Sequence, residues 1–254
     1  MADIDFVNLY IARHCLAPDV SALCLDAELP LPFSDNSIDD VFCMDGLHYV
    51  RSKDALLKQV DRVVSTEGTW LFAHMHNSRV ANINPGAPLD ARGYTQRFAF
   101  GQQRLLPETE VLRQFQNEGS LDLTHQPSLA ALDSSNALTL MGARQEHLWK
   151  RYSDLDMALF RRPDLLALNP LYRLEKTADG LTARAAWPSE SLRRECTETT
   201  PPLRDTVHLS SRTLHEFSAA QNGEPVSDEV RALLRSFMVV SLPACYPRAN
   251  SSLH

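Results

Sequence analysis

The sequence predicts an α/β fold followed by an α+β region. Three observations carry that prediction. Apolar runs and one periodic helix alternate as strand, helix and strand between residues 21 and 75, an order that implies parallel strands joined by a helical crossover. The balance of 44% apolar and 22% charged residues is that of an ordinary globular protein, and 254 residues bury a core without staples. Beyond about residue 145 the pattern changes to hairpin and turn signals, which separates residues 1–143 from an α+β appendage at 144–254.

Residues 5–14 place Phe6, Leu9, Tyr10 and Ile11 on one helical face. Ser21–Asp26 reads as a buried strand, and the Pro-rich segment Leu29–Asn36 as a loop. A second strand follows over Ile38–Met44. Ser52 caps a helix over 53–64 whose inner face holds Leu56, Leu57, Val60, Val63 and Val64. Glu67-Gly68 is a turn before a third strand at Thr69–Met75. Residues 77–105 are irregular and rich in Asn, Pro, Gly and Arg, the composition of a lid or interface loop. Pro107 opens a helix to about Asn117, and 120–125 and 136–143 are further strands. In the second region, Leu171–Trp187 is a hairpin across Asp179-Gly180 and Ser191–Pro202 a polar linker. Thr213–Ala220, Ser227–Arg235 and Met238–Leu242 read as helix, helix and strand, an order compatible with a winged-helix-like module over 205–245.

A net charge of −7 argues against general affinity for nucleic acid or anionic membrane. No apolar run approaches the roughly 20 residues that span a bilayer. The start, Met1-Ala-Asp-Ile-Asp, lacks the basic and apolar segments of a signal peptide. Cys15, Cys24, Cys43, Cys196 and Cys245 are odd in number and widely spaced, which reads as reduced thiols in a cytoplasmic protein. Of nine glycines none precedes Gly46, and no Gly-x-Gly occurs, so the chain carries no glycine-rich nucleotide loop of its own.

The stretch from Cys24 to Asn77 is the most informative. Asp26-Ala27-Glu28-Leu29-Pro30 ends a strand and is followed by Phe33-Ser34-Asp35-Asn36-Ser37-Ile38-Asp39. Then come a strand, Leu47-His48-Tyr49-Val50, a helix ending Asp61-Arg62-Val63-Val64, and Thr66-Glu67-Gly68. In order and spacing this resembles the class I S-adenosylmethionine-dependent methyltransferases of the type 11 kind, densely over about 50 residues and more weakly from residue 3 to about 143. The resemblance implies a Rossmann-like sheet with ligands bound at the carboxyl ends of its strands. It implies that Asp26 accepts from the adenine amino group with the Ala27 backbone beside it, that Leu29–Phe33 walls the adenine, and that Cys43, Met44 and Asp45 face the reacting end of S-adenosylmethionine. His48 would then reach substrate or cofactor as a base near neutral pH. Asp3, upstream of Leu9 and Ala12-Arg13, falls where the family's ribose-binding carboxylate stands.

On this alignment the chain begins near the end of the family's second strand. The first strand, its glycine-rich turn and the first crossover helix have no counterpart. The resemblance makes that first strand central, so the Cys24 strand loses its neighbour, and buried unpaired backbone groups cost roughly 1–3 kcal/mol each. Three outcomes stay open. The Cys24 strand pairs directly with the Cys43 strand, a second copy or a partner protein covers the edge, or the sequence is an N-terminally truncated piece of a longer enzyme.

Two functions are therefore weighed. One is methyl transfer to a small-molecule or peptide acceptor, with the cofactor site completed by a partner or a longer chain. The other is a pseudoenzyme, a methyltransferase-like scaffold or binding subunit that has lost the cofactor. His74 and His76 alternate on a strand and so share a face, but no third ligand stands at matching spacing, so no metal site is expected and polar strand-end packing is the reading. Cys43 beside His48 reads as a small apolar residue rather than a nucleophile.

Overall fold

In the computed structural model, residues 1–82, 86–199, 203–244 and 246 are described. In chain order the strands are β1 (Ala2–Asp3), β2 (Leu23–Cys24), β3 (Ile38–Met44), β4 (Val64–His76), β5 (Gln102–Pro107), β6 (Leu121–Asp122), β7 (Ala137–Ala143), β8 (Arg151–Tyr152), β9 (Leu166–Leu168), β10 (Tyr172–Thr177), β11 (Gly180–Ala185), β12 (Thr206–Ser210) and β13 (Val239–Ser241). The helices are α1 (Phe6–Ile11), α2 (Lys53–Val63), α3 (Ala91–Arg97), α4 (Glu108–Glu118), α5 (Leu129–Asp133), α6 (Glu190–Thr199), α7 (Ser211–Gln221) and α8 (Asp228–Arg235). The chain divides into two compact units, one of residues 27–155 and 187–202, the other of residues 1–26, 156–186 and 203–254. In this division residues 1–26 group with residues 156–186.

The first unit holds a four-stranded sheet in the order β3-β4-β7-β5. β3 and β4 run parallel and are joined by α2, as the alternation of strand, helix and strand requires. Leu56, Leu57, Val60 and Val63 of α2 are buried against the sheet, where they meet Trp70, Phe72, Leu138 and Leu140 in one core. β7 returns antiparallel to both β4 and β5. Glu67-Gly68 is not a turn between elements. Ile38 pairs with Val64 and Asp40 with Thr69, so residues 65–68 bulge from the ladder inside one long strand. Gly68 is required there, because a Cβ would lie 2.6 Å from the Asp39 carbonyl oxygen.

Three other expectations are corrected. The segment 77–105 is not wholly irregular: Asp90 caps α3 by accepting from Gly93 N–H at 2.8 Å, and β5 begins at Gln102. The polar half of β5 (Gln102, Gln103, Arg104) hid its strand pattern. Ser191–Pro202 is not a linker, since Glu190–Thr199 is helical, with Ser189 Oγ accepting from Leu192 N–H. Glu, Leu and Arg are good helix formers, and their polarity was misread as a lack of structure. Residues 200–202 and Cys245 lie outside the described residues. Ser52 heads α2 but caps it through its carbonyl rather than its hydroxyl.

In the other unit, β10 and β11 form the expected hairpin, with Thr177 opposite Gly180, and β12 adds a third antiparallel strand. α7 and α8 follow, and β13 pairs with β9. Leu181, Ala183, Leu209, Phe217, Val230, Leu234 and Val239 form the core of this unit. At the N-terminus β1 and β2 pair in parallel, Ala2 with Leu23 and Asp3 with Cys24. The Cys24 strand therefore does not pair with the Cys43 strand. Nor is it buried: both residues are exposed, because a two-residue strand with one neighbour has little to cover it. α1 likewise exposes Phe6, Tyr10 and Ile11 and buries only Leu9. Among the described residues the outer edge of β3 pairs with no strand, and Phe42 and Met44 on it are 60% and 58% exposed.

Candidate functional site

The carboxyl ends of β3 and β4 bring a cluster of polar side chains together. β3 ends at Met44, and the Asp45 N–H continues the ladder by donating to the Ala73 carbonyl at 3.0 Å. Asp45 then turns the chain with φ 52°, in the left-handed region. A single 3-10 turn, Leu47–Tyr49, carries His48 inward until it is wholly buried. On β4 a bulge between Phe72 and Met75 places His74 at φ 53°. Two non-glycine residues in this conformation, each costing about 1–3 kcal/mol, stand side by side at the sheet end.

The neighbouring segment locks His48 in place. Ala87 N–H donates to the His48 carbonyl at 2.7 Å, and Gly86, at φ 61°, passes so close that a Cβ would sit 2.7 Å from the same oxygen. Lys53 is buried, and its Nζ ties Val50 to Ala87 through their carbonyls at 2.6 and 2.7 Å. Tyr94 supports the end of β4, its hydroxyl donating to the His76 carbonyl at 2.8 Å, and burial pushes that phenol up to about 12. Buried Asn77 donates from Nδ2 to the carbonyls of Leu132 and Ser135 at 3.0 and 2.8 Å.

His48 and His76 stack, with ring centroids 3.7 Å apart. His48 Nε2 lies 3.5 Å, and His76 Nε2 3.7 Å, from the same Asp45 carboxylate oxygen. His74 Nδ1 donates to Glu108 at 2.7 Å. Burial lowers the His48 pKa to about 4, and the nearby His76, His74 and Lys53 add to the effect. The imidazole is therefore neutral at pH 7 and a weak proton acceptor there. Burial pushes the Cys43 thiol up, so it stays a thiol. The third group that the His74 and His76 pair lacked in sequence is Asp45, 29 residues upstream and brought in by the adjacent parallel strand. Glu108 was not foreseen, and nothing near it in sequence signals a role.

The other sequence-predicted residues fall as follows. Ala27 is half-buried against the core, and Leu29, Met44 and Tyr49 are exposed. The Leu29–Phe33 segment is held by Arg62, which donates to the carbonyls of Leu31 and Phe33 at 2.9 and 2.7 Å and shares Gln59 Oε1 with Leu31 N–H. Arg62→Met is expected to cost about 1–3 kcal/mol, since these are hydrogen bonds to a charged donor; urea denaturation measures it, and a loss under 0.5 kcal/mol would refute this role. Asp26 is half-buried, and Asp3 is exposed with Oδ1 accepting from Asp5 N–H at 2.8 Å. Both belong to the other unit.

Residues 1–72 match the family model described as a methyltransferase domain. No curated protein matches the chain. Among solved structures, the [4+2]-cyclase SpnF is similar at 22% identity over 41% of this chain and 43% of its own, with a TM-score of 0.35. The Haloferax volcanii complex of the Trm112 methyltransferase activator with a methyltransferase gives 18% identity, 57% and 71% coverage and 0.41. An S-adenosylmethionine-dependent methyltransferase from Thermotoga maritima gives 13%, 57% and 72%, and 0.40. The chain thus spans under half the length of SpnF, and at these values none of the three assigns it an activity or a partner. No helix among the described residues is long and apolar enough to cross a membrane.

S-adenosylmethionine is the cofactor that the methyltransferase-domain likeness carries. The resemblance alone assigns Asp26, Ala27 and Leu29 to its adenine and Asp3 to its ribose. Among the described residues no glycine-rich turn offers a cradle for its methionine end: the first glycine, Gly46, is packed so that a Cβ would lie 3.0 Å from Cys43 Sγ. The described residues therefore do not by themselves fit the whole cofactor, and no methyl-transfer step is derived from them. The molecule is an α/β protein that resembles the class I S-adenosylmethionine-dependent methyltransferases, and the resemblance is carried by residues 1–72, which match the methyltransferase-domain model.

Proposed function

We propose that this chain serves S-adenosylmethionine-dependent methyl transfer to a small-molecule or peptide acceptor, with the cofactor's methionine end gripped by a partner or a longer chain. The observation that carries this reading is the Asp26–Phe33 segment and the β3-α2-β4 unit after it, which lie in or extend directly from the matched segment. The outer edge of β3, unpaired among the described residues and with Phe42 and Met44 exposed, suits a covering strand from a second copy or another protein. Positioning of acceptor against cofactor would supply most of the rate. On this reading Asp3, Asp26, Ala27, Leu29, Cys43 and Met44 are the residues that the resemblance assigns to the cofactor, and His48, with Nε2 3.5 Å from Asp45, is the one it assigns to the reaction.

A second reading, a scaffold that has lost the cofactor, is favoured by one observation: no Gly-x-Gly occurs in the chain. Calorimetric titration with S-adenosylmethionine separates the two. Micromolar binding that weakens at least tenfold in Asp26→Ala is the expected result. No binding at millimolar cofactor, alone and with candidate partners, would leave the scaffold.

A further inference from the structure

Asp45, His74 and His76 converge at the carboxyl ends of β3 and β4. One ligand atom from each lies within 4.8 Å of the others, and the Asp45 oxygen to His76 Nε2 distance is 3.7 Å. Donors about 2.0–2.1 Å from a tetrahedral Zn2+ ion stand roughly 3.3–3.4 Å apart. Closing the cluster on an ion therefore needs only a small side-chain rotation. Asp45 can make it, since its side chain is 51% exposed.

The surroundings suit a cation as well. His74 donates from Nδ1 to Glu108, and an imidazole so held keeps its lone pair on Nε2. A carboxylate behind a ligating histidine is the usual outer support of a metal site, fixing the ring and raising its basicity. Glu108 and His74 are both largely shielded, at 17% and 19% side-chain exposure, so the pair is screened little by solvent. Behind the cluster His48 is fully buried and makes no hydrogen bond from either ring nitrogen among the described residues. Its Nε2 faces the Asp45 carboxylate that would carry the ion. Exposure of Asp45 supplies an entry path.

We propose that Asp45, His74 and His76 form a binding site for a divalent first-row transition ion, with Glu108 orienting His74 and His48 backing Asp45. Two imidazoles and one carboxylate suit Zn2+ among the available ions. Three protein donors leave a coordination position open toward solvent, where water or an acceptor heteroatom can bind. The site lies at the carboxyl ends of the parallel pair β3 and β4, where open α/β sheets receive their ligands.

The test uses the full chain without an affinity tag, stripped with a chelator and titrated with Zn2+. One equivalent is expected to bind with micromolar or tighter affinity, and Co2+ in its place should show ligand-field bands of mixed nitrogen and oxygen coordination. Asp45→Asn keeps a residue that tolerates a left-handed backbone while removing the charge, and is expected to weaken binding at least 100-fold. Glu108→Gln should weaken it 10–100-fold through His74. His14→Ala, at an exposed histidine, should leave affinity unchanged, and circular dichroism reports whether each variant is folded. Absence of stoichiometric binding in the wild type overturns the proposal, as does wild-type affinity in both Asp45→Asn and Glu108→Gln. Because the readout is metal binding, it is independent of whether the chain binds S-adenosylmethionine.

Discussion

Asp156→Ala is expected to lower stability by about 3–5 kcal/mol, among the largest effects of any single substitution in the chain. Asp156 is wholly buried. Arg231 grips it with both ends of its fork, Nε to one oxygen at 2.9 Å and a terminal nitrogen to the other at 2.8 Å. Arg235 Nε adds a third contact at 3.1 Å. Both arginines lie on α8, whose Val230, Leu233 and Leu234 enter the core, so the carboxylate fastens the Asp156–Arg161 segment to that helix. Removing it takes from two mostly buried guanidinium groups, 22% and 19% exposed, the carboxylate that they share. Replacing two of the three charges should cost less: Asp156→Leu with Arg231→Met removes the carboxylate and one guanidinium together and leaves only Arg235 to be solvated. Urea denaturation of the single and double variants provides the comparison. A loss below 1 kcal/mol in Asp156→Ala would show the pair to be solvated and unimportant.

The same triad sets a pH dependence with a definite sign. Burial pushes the Asp156 carboxyl up, but the hydrogen bond and charge of Arg231, with the charge of Arg235, outweigh it and leave the pKa below the ordinary value of 3.8. A group with a depressed folded pKa contributes stability that is present above its unfolded pKa and lost as pH falls through the folded one. The gap between wild type and Asp156→Ala should therefore be full at pH 7 and shrink below about pH 4.

None of this was legible in the sequence, and the reason separates what was read from what was missed. The β3-α2-β4 unit was visible because strand and helix periods are local, and Leu56, Leu57, Val60 and Val63 declare their face within three turns. The pairing of Asp156 with Arg231 spans 75 residues, and that of His74 with Glu108 spans 34. No periodicity reports on such separations. The antiparallel course of β7 was likewise unreadable, since its seven residues, six of them buried, look the same in either direction. At the candidate site the sequence pairs His74 with His76 by their alternation and sets Asp45 near His48, but nothing in it joins the two pairs. What joins them is the parallel register of β3 against β4 and two left-handed residues, neither a glycine, that re-aim the chain. Conversely, the exposed faces of α1 and β2 misled the reading because apolar spacing shows which residues could share a face and not whether anything covers it.

Gly142→Ala should destabilise the sheet by about 3 kcal/mol, at the upper end of the usual penalty for overpacking. Trp70 on β4 stands directly opposite Gly142 on β7, and its indole lies across the glycine. A Cβ there would come within 1.8 Å of indole Nε1 and 2.1 Å of Cε2. Neither is the end of a flexible chain: the fused ring is 1% exposed, packs on Phe100 with centroids 4.7 Å apart, and has Gly101 against its far edge, where another Cβ would be 2.4 Å away. In an open strand position Gly→Ala would gain about 0.5–1 kcal/mol from reduced backbone entropy, so the sign of the result decides between propensity and packing. Trp70→Leu removes the rigid planar ring that the new methyl would strike. The double variant Gly142→Ala with Trp70→Leu is therefore expected to lose at least 1 kcal/mol less than the sum of the single losses, in a cycle measured by urea denaturation. Additive losses, or a Gly142→Ala variant as stable as wild type, would mean that the indole moves aside freely. If it does not, the shift must run along β4, and six residues further on the same strand is His76. Zn2+ affinity of Gly142→Ala then measures how far packing at the sheet's middle sets the geometry at its carboxyl end.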